Sequence, residues 1–296
     1  MRTRRSRLIG ALVPDIANPV FSPIIGGLEE MLTAAGWSLI VANAGATNRQ
    51  IALVDELAAR RVDGLVLATA TRDDPVLARC KAHRLPTILV NRRDDRGRTS
   101  SVVSDDAKGM RLVVDHLVAL GHRSIAHVAG PALLSTGYLR RQGFVSAITA
   151  HRLGPAACPI VEARAMTREA GCIAGREIFR NFKPSAVVAA NDLLALGVLQ
   201  AMEQAGLSCP KDVSVTGHND MPLTDQTAPP LTTVSISHQL MGQQAARMLL
   251  DEITAPGRHR IQHVLEPRLV VRQSTRARPP SGTKQSRKPA IKRSSS

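Results

Sequence analysis

Residues 184–217 read PSAVVAANDLLALGVLQAMEQAGLSCPKDVSVTG, and this stretch decides the fold class. It begins with the short apolar run PSAVVAAN and ends with a second one, DVSVTG. Asn191 and Asp192 open a segment of helical period between the two runs. A strand, a helix and a second strand in this order are typical of a βαβ unit, which pairs its strands in parallel.

The same alternation continues outward from this stretch almost to both ends of the chain. Short apolar runs recur as LIGALV, WSLIVAN, DGLVLAT, PTILVN, SSVVS and SIAHVAG, with segments of helical period between them. About eight such units are too many for one sheet of about five or six strands. We therefore expect an α/β fold with two doubly wound parallel-sheet lobes that share a hinge.

The strongly positive charge of the chain belongs to its two ends. The formal net charge is +15, but residues 1–7 hold four basic residues and residues 275–296 hold seven, with no acids in either segment. Residues 8–274 keep 28 basic against 24 acidic residues, which predicts an ordinary surface. We expect residues 275–296 to form a disordered basic tail, because few apolar side chains there offset the ordering entropy. The alternative for this tail is an arm that binds phosphates without sequence preference.

Cysteine spacing and hydropathy indicate the compartment. Cys80, Cys158, Cys172 and Cys209 lack the spacing of a zinc site or a disulfide framework, and we interpret them as buried thiols in a reducing cytoplasm. The first apolar run breaks into Pro, Asp and Asn, and no run of membrane length occurs elsewhere. The sequence therefore predicts a cytoplasmic protein without a membrane partner.

The loops that follow the strands are the places to search for a ligand site, because open α/β sheets bind ligands beyond the carboxyl ends of their strands. Asn18 and Pro19 follow the first strand and fit the start of a helix. Asn191 and Asp192 do the same after a later strand, so each pair on its own also fits a plain helix cap. The long polar loop in residues 218–236 is of a length that is often functional.

Catalytic and metal-binding signatures do not appear in the sequence. It contains no G-x-S-x-G elbow, no phosphate-binding loop and no G-x-G-x-x-G fingerprint. His259 and His263 lie in a stretch with strand character, where residues four apart are well separated. The acid pairs Asp105 with Asp106 and Asp220 with Asp225 fit caps and hydrogen-bond acceptors. We expect no enzymatic activity, no cofactor and no metal.

Several spaced motifs in residues 7–274 resemble the LacI-type bacterial transcription regulators. They are IGALVPDIANPVFSPIIGGLEE, RRVDGLVLA, DHLVALGHRSIAHVAGP, LRRQGF, the stretch 189–220 and PPLTTVSI, in this order. The resemblance implies a fold of the periplasmic-binding-protein type I, with lobes joined by a hinge of three strands. It also implies a homodimer that binds a small effector in the cleft between the lobes.

The resemblance divides the chain into segments. We expect residues 8–121 to form the N-terminal lobe and residues 122–237 the C-terminal lobe. Residues 238–262 would return to the first lobe and residues 263–274 to the second.

Residues 1–7 are interpreted as a remnant of a basic linker, because members of this family carry a helix-turn-helix headpiece and a hinge helix before the first strand. A recognition helix does not fit into seven residues. We therefore expect operator DNA as a partner only if such a headpiece lies upstream.

Carrying the family's binding positions onto the first lobe implicates four residues. Phe21 falls where members use an aromatic ring to stack on the ligand, and Val20 lies beside it. Asn18 belongs to the same loop, and Asp105 matches an acidic residue at the lobe junction. Ordinary core packing is the alternative for Phe21.

Three further positions are implied in the second lobe, and Asn219 is a fourth that departs from the family pattern. Arg140 matches an arginine that binds ligand oxygens, and a planar guanidinium suits a carboxylate or a diol. Asn191 matches an asparagine that bonds hydroxyl groups, and Met166 falls on the wall of the cleft. The alternatives are a surface salt bridge for Arg140 and plain packing for Met166.

Asn219 is a departure from the family pattern, since many members have an aspartate there. An asparagine donates as well as accepts hydrogen bonds. Aromatic residues make up only 2% of the chain, which weakens a pocket built on sugar stacking. The resemblance implies a sugar, a sugar acid or a similar polar metabolite as the effector, and no single compound is assigned.

Two other functions remain open at this point. A solute-binding protein of a transporter has the same fold but needs an export signal. An enzyme on a doubly wound fold is the third alternative, which the missing motifs disfavour. The favoured function is the effector-binding and dimerisation core of a transcription regulator.

Overall fold

The computed structural model of the protein describes residues 5–257 and 259–278. Most of the predicted linker remnant 1–7 and of the predicted tail 275–296 lies outside these residues. Among the described residues, no helix is long and apolar enough to cross a membrane.

The chain alternates strands and helices, as its sequence predicts. Its first part contains β1 (Leu8–Val13), α1 (Phe21–Ala34), β2 (Ser38–Asn43), α2 (Thr47–Ala59), β3 (Gly64–Leu67), α3 (Val76–Ala82), β4 (Thr87–Val90) and β5 (Ser101–Ser104). Its middle part contains α4 (Asp106–Ala119), β6 (Ile125–Ala129), α5 (Ser135–Ala150), β7 (Ile160–Glu162), α6 (Arg168–Asn181), β8 (Ala186–Ala189), α7 (Asp192–Gln204), β9 (Ser214–Asn219) and β10 (Thr232–Ser235). The last part contains α8 (His238–Thr254), β11 (Gln262–Leu265) and β12 (Arg268–Val270).

The strands form two sheets of six strands each. The first sheet has the order β11-β5-β4-β3-β1-β2, and the second has the order β12-β10-β9-β8-β6-β7. The strand pairs are parallel except that β12 runs antiparallel to β10. The prediction of two doubly wound, mostly parallel sheets is confirmed.

Helices cover both faces of each sheet, which explains the continuous apolar runs of the strands. In β1, Ile9, Ala11 and Val13 pack into the core beneath α1 and α8, whereas Leu12 packs into the core beneath α2 and α3. Alternate residues of one strand thus serve two cores. The second sheet has two corresponding cores.

The lobe boundary lies earlier than the sequence indicates. Helix α4 was expected in the first lobe, within residues 8–121, but it packs against α5 and against strands of the second sheet. Its apolar face, which includes Met110 and Leu117, shares a core with Ile125 and Phe144. The crossing from the first lobe therefore follows Ser104, and the apolar period of α4 alone did not show which sheet it covers.

The chain crosses between the lobes at three places, after β5, after β10 and after β11. The second crossing agrees with the expected return at residue 238, since α8 packs on α1, β3 and β4. The third differs from the expected boundary between residues 262 and 263. Residues 262–265 all pair with β5 in the first sheet, so the chain enters the second lobe after Leu265.

Candidate functional site

Loops from the two lobes meet at the carboxyl ends of the strands. The backbone N–H of Arg72, beyond β3, donates to the carbonyl of Leu133, beyond β6, at 3.0 Å. The backbone N–H of Arg93, beyond β4, donates to the hydroxyl of Ser135 at 3.0 Å. The Arg72 guanidinium also lies 3.6 Å from the ring centroid of Tyr138. These contacts place the strand ends of both sheets on the two sides of one cleft.

Arg140 is the central charged group of the second lobe at this cleft. It lies on α5, only 2% exposed, and its Nε donates to Oδ1 of Asp106 at 2.7 Å. Its Nη1 donates to the carbonyl of Ala190 at 2.6 Å. A guanidinium has five N–H donors, so three remain for a ligand. The alternative of a surface salt bridge for Arg140 does not hold, because its ion pair with Asp106 is buried.

The two adjacent acids after β5 have different tasks. Asp105 is half-buried and caps α4, since its Oδ1 accepts from the backbone N–H of Lys108 at 2.9 Å. Asp106 is buried, and burial raises its pKa while the charge of Arg140 opposes the shift. Sequence reasoning chose Asp105 and missed Asp106, although the adjacent pair of acids was the available signal.

Asn191 and Met166 lie together beside Arg140. The buried Asn191 caps α7 by accepting from the backbone N–H of Leu194 at 2.8 Å, and its Nδ2 donates to the carbonyl of Met166 at 3.2 Å. The Met166 side chain covers Gly130 at the end of β6, where an added Cβ would overlap its terminal methyl group. The helix-cap interpretation of Asn191 is therefore confirmed, and its contact with a ligand stays a prediction.

Asn219 ends β9 with a backbone φ of 118°, and its side chain is buried. Its Oδ1 lies 3.4 Å from Nδ1 of His218. Burial holds the pKa of His218 well below its usual value, so this imidazole is neutral. The neighbouring Asp220 pairs with Arg272 at 2.7 Å, so Asn219 is an uncharged group beside a neutralised acid.

The sequence predicts only a helix start at Asp192, and the structure adds two buried hydrogen bonds. Asp192 accepts from the hydroxyl of Thr233 and from the backbone N–H of Met221. Burial raises the pKa of Asp192 to about 6.

The first loop gives a mixed result for the predicted residues. Phe21 starts α1 and is 2% exposed, with its ring in the hydrophobic core of the first lobe. The structure thus favours the packing alternative for Phe21 over stacking on a ligand. Val20 is buried beside it. Asn18 forms a turn rather than the helix start, since its Oδ1 accepts from the backbone N–H of Val20 at 3.1 Å.

Arg92 is a cleft residue that sequence reasoning missed. It lies two residues beyond β4, and its Nη1 donates to the carbonyl of Thr69 at 3.3 Å. Burial, and then the charge of Arg140, lower the pKa of Arg92 to about 10. The motif VNRR at a strand end was the signal that would have found it.

Other sites are sparse in the described part of the chain. A groove of about 410 Å³ on the outer surface of α6 and α7 contains none of the predicted site residues. No cluster of three or more His, Cys, Asp or Glu side chains within residues 5–257 and 259–278 is arranged to hold a metal ion.

His259 precedes β11 and His263 lies within it, so only one of the two is in a strand. All four cysteines are free thiols.

Comparison with known proteins decides the family. Residues 114–275 match the model of a periplasmic binding protein-like domain. The chain is 34% identical over 291 residues to the HTH-type transcriptional regulator MalR of Streptomyces coelicolor, covering 94% of this chain and 83% of that protein. It superposes with a TM-score of 0.83 and 30% identity on a LacI family transcriptional regulator from Enterococcus faecium with bound ribose, covering 92% of this chain and all of that one. The chain belongs to the LacI family of transcriptional regulators.

A second solved structure of the family agrees with this assignment. The lac repressor dimer bound to operator and an anti-inducer matches with a TM-score of 0.83 and 28% identity, covering 93% of this chain and 96% of that one. The two lobes of this LacI-family chain are thus the effector-binding core of a regulator. The solute-binding alternative is not favoured, because the similar proteins are transcription regulators.

Proposed function

We propose that this LacI-family chain senses a small polar metabolite, a sugar, a sugar acid or a similar compound, bound between its two lobes. The observation that carries the proposal is the buried guanidinium of Arg140. It joins Asp106 at the lobe junction to the carbonyl of Ala190, next to Asn191, and it keeps N–H donors for a ligand. Asp105, Met166, Asn191 and Asn219 complete the proposed contacts from the same edge. Asn18 and Val20 lie on the first-lobe side of the proposed cleft site. Phe21 packs in the core behind them.

The proposed output is transcription control in the cytoplasm without enzymatic chemistry. Effector binding would shift the populations of two lobe arrangements, and its differential affinity for them would set the coupling to DNA. We propose that the coupling acts in a homodimer and reaches operator DNA through a headpiece upstream of β1. The ribose bound to the Enterococcus faecium regulator supports effector binding by similarity, and the operator bound to the lac repressor dimer supports the coupling to DNA.

A thermal-unfolding screen tests the sensing role. A panel of pentoses, hexoses, disaccharides and their acids should contain a compound that raises the unfolding temperature, because a ligand that binds only the folded state stabilises it. A panel in which no compound shifts the transition contradicts the proposal.

Sedimentation equilibrium tests the dimer. The chain has a mass of 31.7 kDa, and we expect twice this mass at about micromolar concentration. A monomer at that concentration contradicts the proposed dimer.

A footprinting experiment tests the role of the headpiece. The 296-residue chain alone should protect no single DNA sequence, because reading base edges needs an element in the major groove. Weak binding by the basic ends should fade steeply as salt rises. A footprint that survives physiological salt and competitor DNA contradicts the assignment of DNA reading to a headpiece.

A further inference from the structure

Arg92 is a half-buried arginine in the cleft that has no ion-pair partner among the described residues. Its Nε is buried and has no hydrogen-bond acceptor among residues 5–257 and 259–278, and its Nη1 reaches only the carbonyl of Thr69. No carboxylate in this part of the chain lies within ion-pair distance of its guanidinium. Leaving a charged donor unsatisfied away from water is costly, so such a group in a native cleft indicates a partner from outside the chain.

The other arginines around the cleft have acceptors. Arg140 pairs with Asp106, and Arg72 pairs with Asp95 at 2.6 Å. Arg93 donates to Oε1 of Gln262 at 3.0 Å. Among these cleft arginines, Arg92 is the one whose buried Nε has no acceptor within the described residues.

The charges around Arg92 do not compensate it. Asp74 is near enough to raise the pKa of Arg92, but its two carboxylate oxygens accept from the backbone N–H groups of Thr71 and Val76. The positive charge of Arg140 acts in the opposite direction and is the larger of these two charge effects. With a pKa of about 10, Arg92 stays protonated at neutral pH, so two guanidinium groups from opposite lobes repel each other.

Two hydroxyl groups near the ends of the strands beside β4 also have no hydrogen-bond partner among the described residues. Oγ1 of Thr69 and Oγ of Ser104 are buried and make no hydrogen bond within the described residues. Thr69 follows β3, Arg92 follows β4 and Ser104 ends β5, and these strands are neighbours in the first sheet. One guanidinium and two hydroxyl groups therefore lie at one sheet edge, and all three can donate to an anionic oxygen.

We propose, on the basis of the effector-sensing function above, that the effector carries an anionic oxygen group, a carboxylate or a phosphate, which Arg92 of the first lobe and Arg140 of the second lobe bind together. The anion would offset the repulsion between the two guanidinium groups, so it binds the closed lobe arrangement better than the open one. This pair of charges gives a neutral sugar no difference in affinity between the closed and the open lobe arrangement.

Matched neutral and anionic probes test the inference. Wild type, Arg92→Met and Arg96→Met are titrated with ribose and ribose 5-phosphate, with glucose and gluconate, and with inorganic phosphate at concentrations of up to about 10 mM. Arg96→Met is the control because it removes the same charge from an exposed arginine that pairs with Asp73. Sodium chloride of equal ionic strength corrects for screening.

An anionic probe should stabilise wild type and Arg96→Met, and its affinity for Arg92→Met should fall about 10- to 100-fold. Without any probe, Arg92→Met should be as stable as Arg96→Met or more stable, because it removes a half-buried charge that has no ion-pair partner among the described residues. This second readout does not depend on the choice of probe.

Three results overturn the inference. One is a lack of effect of every anionic probe on wild type beyond that of sodium chloride. Another is marked destabilisation of Arg92→Met relative to Arg96→Met without probe, which assigns Arg92 a structural role. The third is a neutral sugar that binds wild type and Arg92→Met equally well. This result leaves the sensing function intact and contradicts only the anionic group of the effector.

Discussion

The ion pair between Arg140 and Asp106 shows how a single residue serves both stability and recognition. The side chains are 3% and 4% exposed, so each charge depends on the other for compensation. The position of Arg140 followed from its motif, but its partner did not, because the sequence shows no contact between α5 and the start of α4. Arg140 therefore contributes to the fold even before a ligand binds.

Arg140→Ala should lower the free energy of unfolding by about 3–5 kcal/mol, because Asp106 is left buried and unpaired. The double variant Arg140→Met with Asp106→Asn should be markedly less destabilised, since neither charge remains. Urea unfolding of the two variants and wild type measures this. Equal losses for the single and the double variant would show that the pair is not coupled.

Packing between α1 and α8 illustrates what the sequence conceals at the scale of elements. The two helices touch at Gly27, where an added Cβ would overlap the carbonyl oxygen of Gln239, and at Gly242, where it would overlap that of Ile24. Helix-interior glycine is usually unfavourable by about 1 kcal/mol relative to alanine. Here the close approach of two backbones requires it, and the contact joins residues more than two hundred positions apart.

Adjacent glycines in α1 provide a matched pair of substitutions. Gly27→Ala should destabilise the protein by about 1–3 kcal/mol, because the helices must move apart. Gly26→Ala, at an exposed position with nothing within 4 Å, should be neutral or stabilise by up to about 1 kcal/mol. Thermal unfolding of both variants measures the difference. Equal effects would show that α1 and α8 do not approach each other this closely.

For the whole molecule, the sequence predicted the class of fold better than the division of the chain. Strand runs and turn residues are local signals, so the two α/β sheets were predictable. Long-range contacts decide which sheet α4 covers. They also keep residues 263–265 in the first sheet. In the same way, residue type and loop position indicated Arg140 and Asn191. Arg92 stands out only because it has no ion-pair partner among the described residues, which the sequence does not show.

Buried histidines give the molecule a predictable pH dependence. Burial lowers the pKa of His127 and of His238 to about 4 each, and that of His218 well below its usual value. The unfolded chain binds protons at these groups below about pH 6.5, whereas the folded chain does not, so stability is lost as the pH falls from about 6.5 towards 4. Asp192, with a pKa raised to about 6, and Asp106 act in the opposite direction and offset part of this loss.

We expect the free energy of unfolding to fall by a few kcal/mol, on the order of 3, between about pH 7 and pH 5. His127→Gln should flatten this slope, because one buried imidazole no longer titrates. Urea unfolding at a series of pH values measures both. A slope in His127→Gln equal to that of wild type would contradict the assignment of a buried neutral His127.

Calorimetric titration of the Asn191→Ser variant shows whether the effector binds at the cleft edge around Arg140 and Asn191. Serine keeps the helix cap of α7 and removes the amide, so the fold should remain while the affinity for the effector found in the screen falls about tenfold or more. Arg141→Ala is the control, since Arg141 is 43% exposed and pairs with Glu162 at 3.4 Å. We expect weakened effector binding by Asn191→Ser and unchanged binding by Arg141→Ala. Wild-type affinity in Asn191→Ser would contradict binding at this edge.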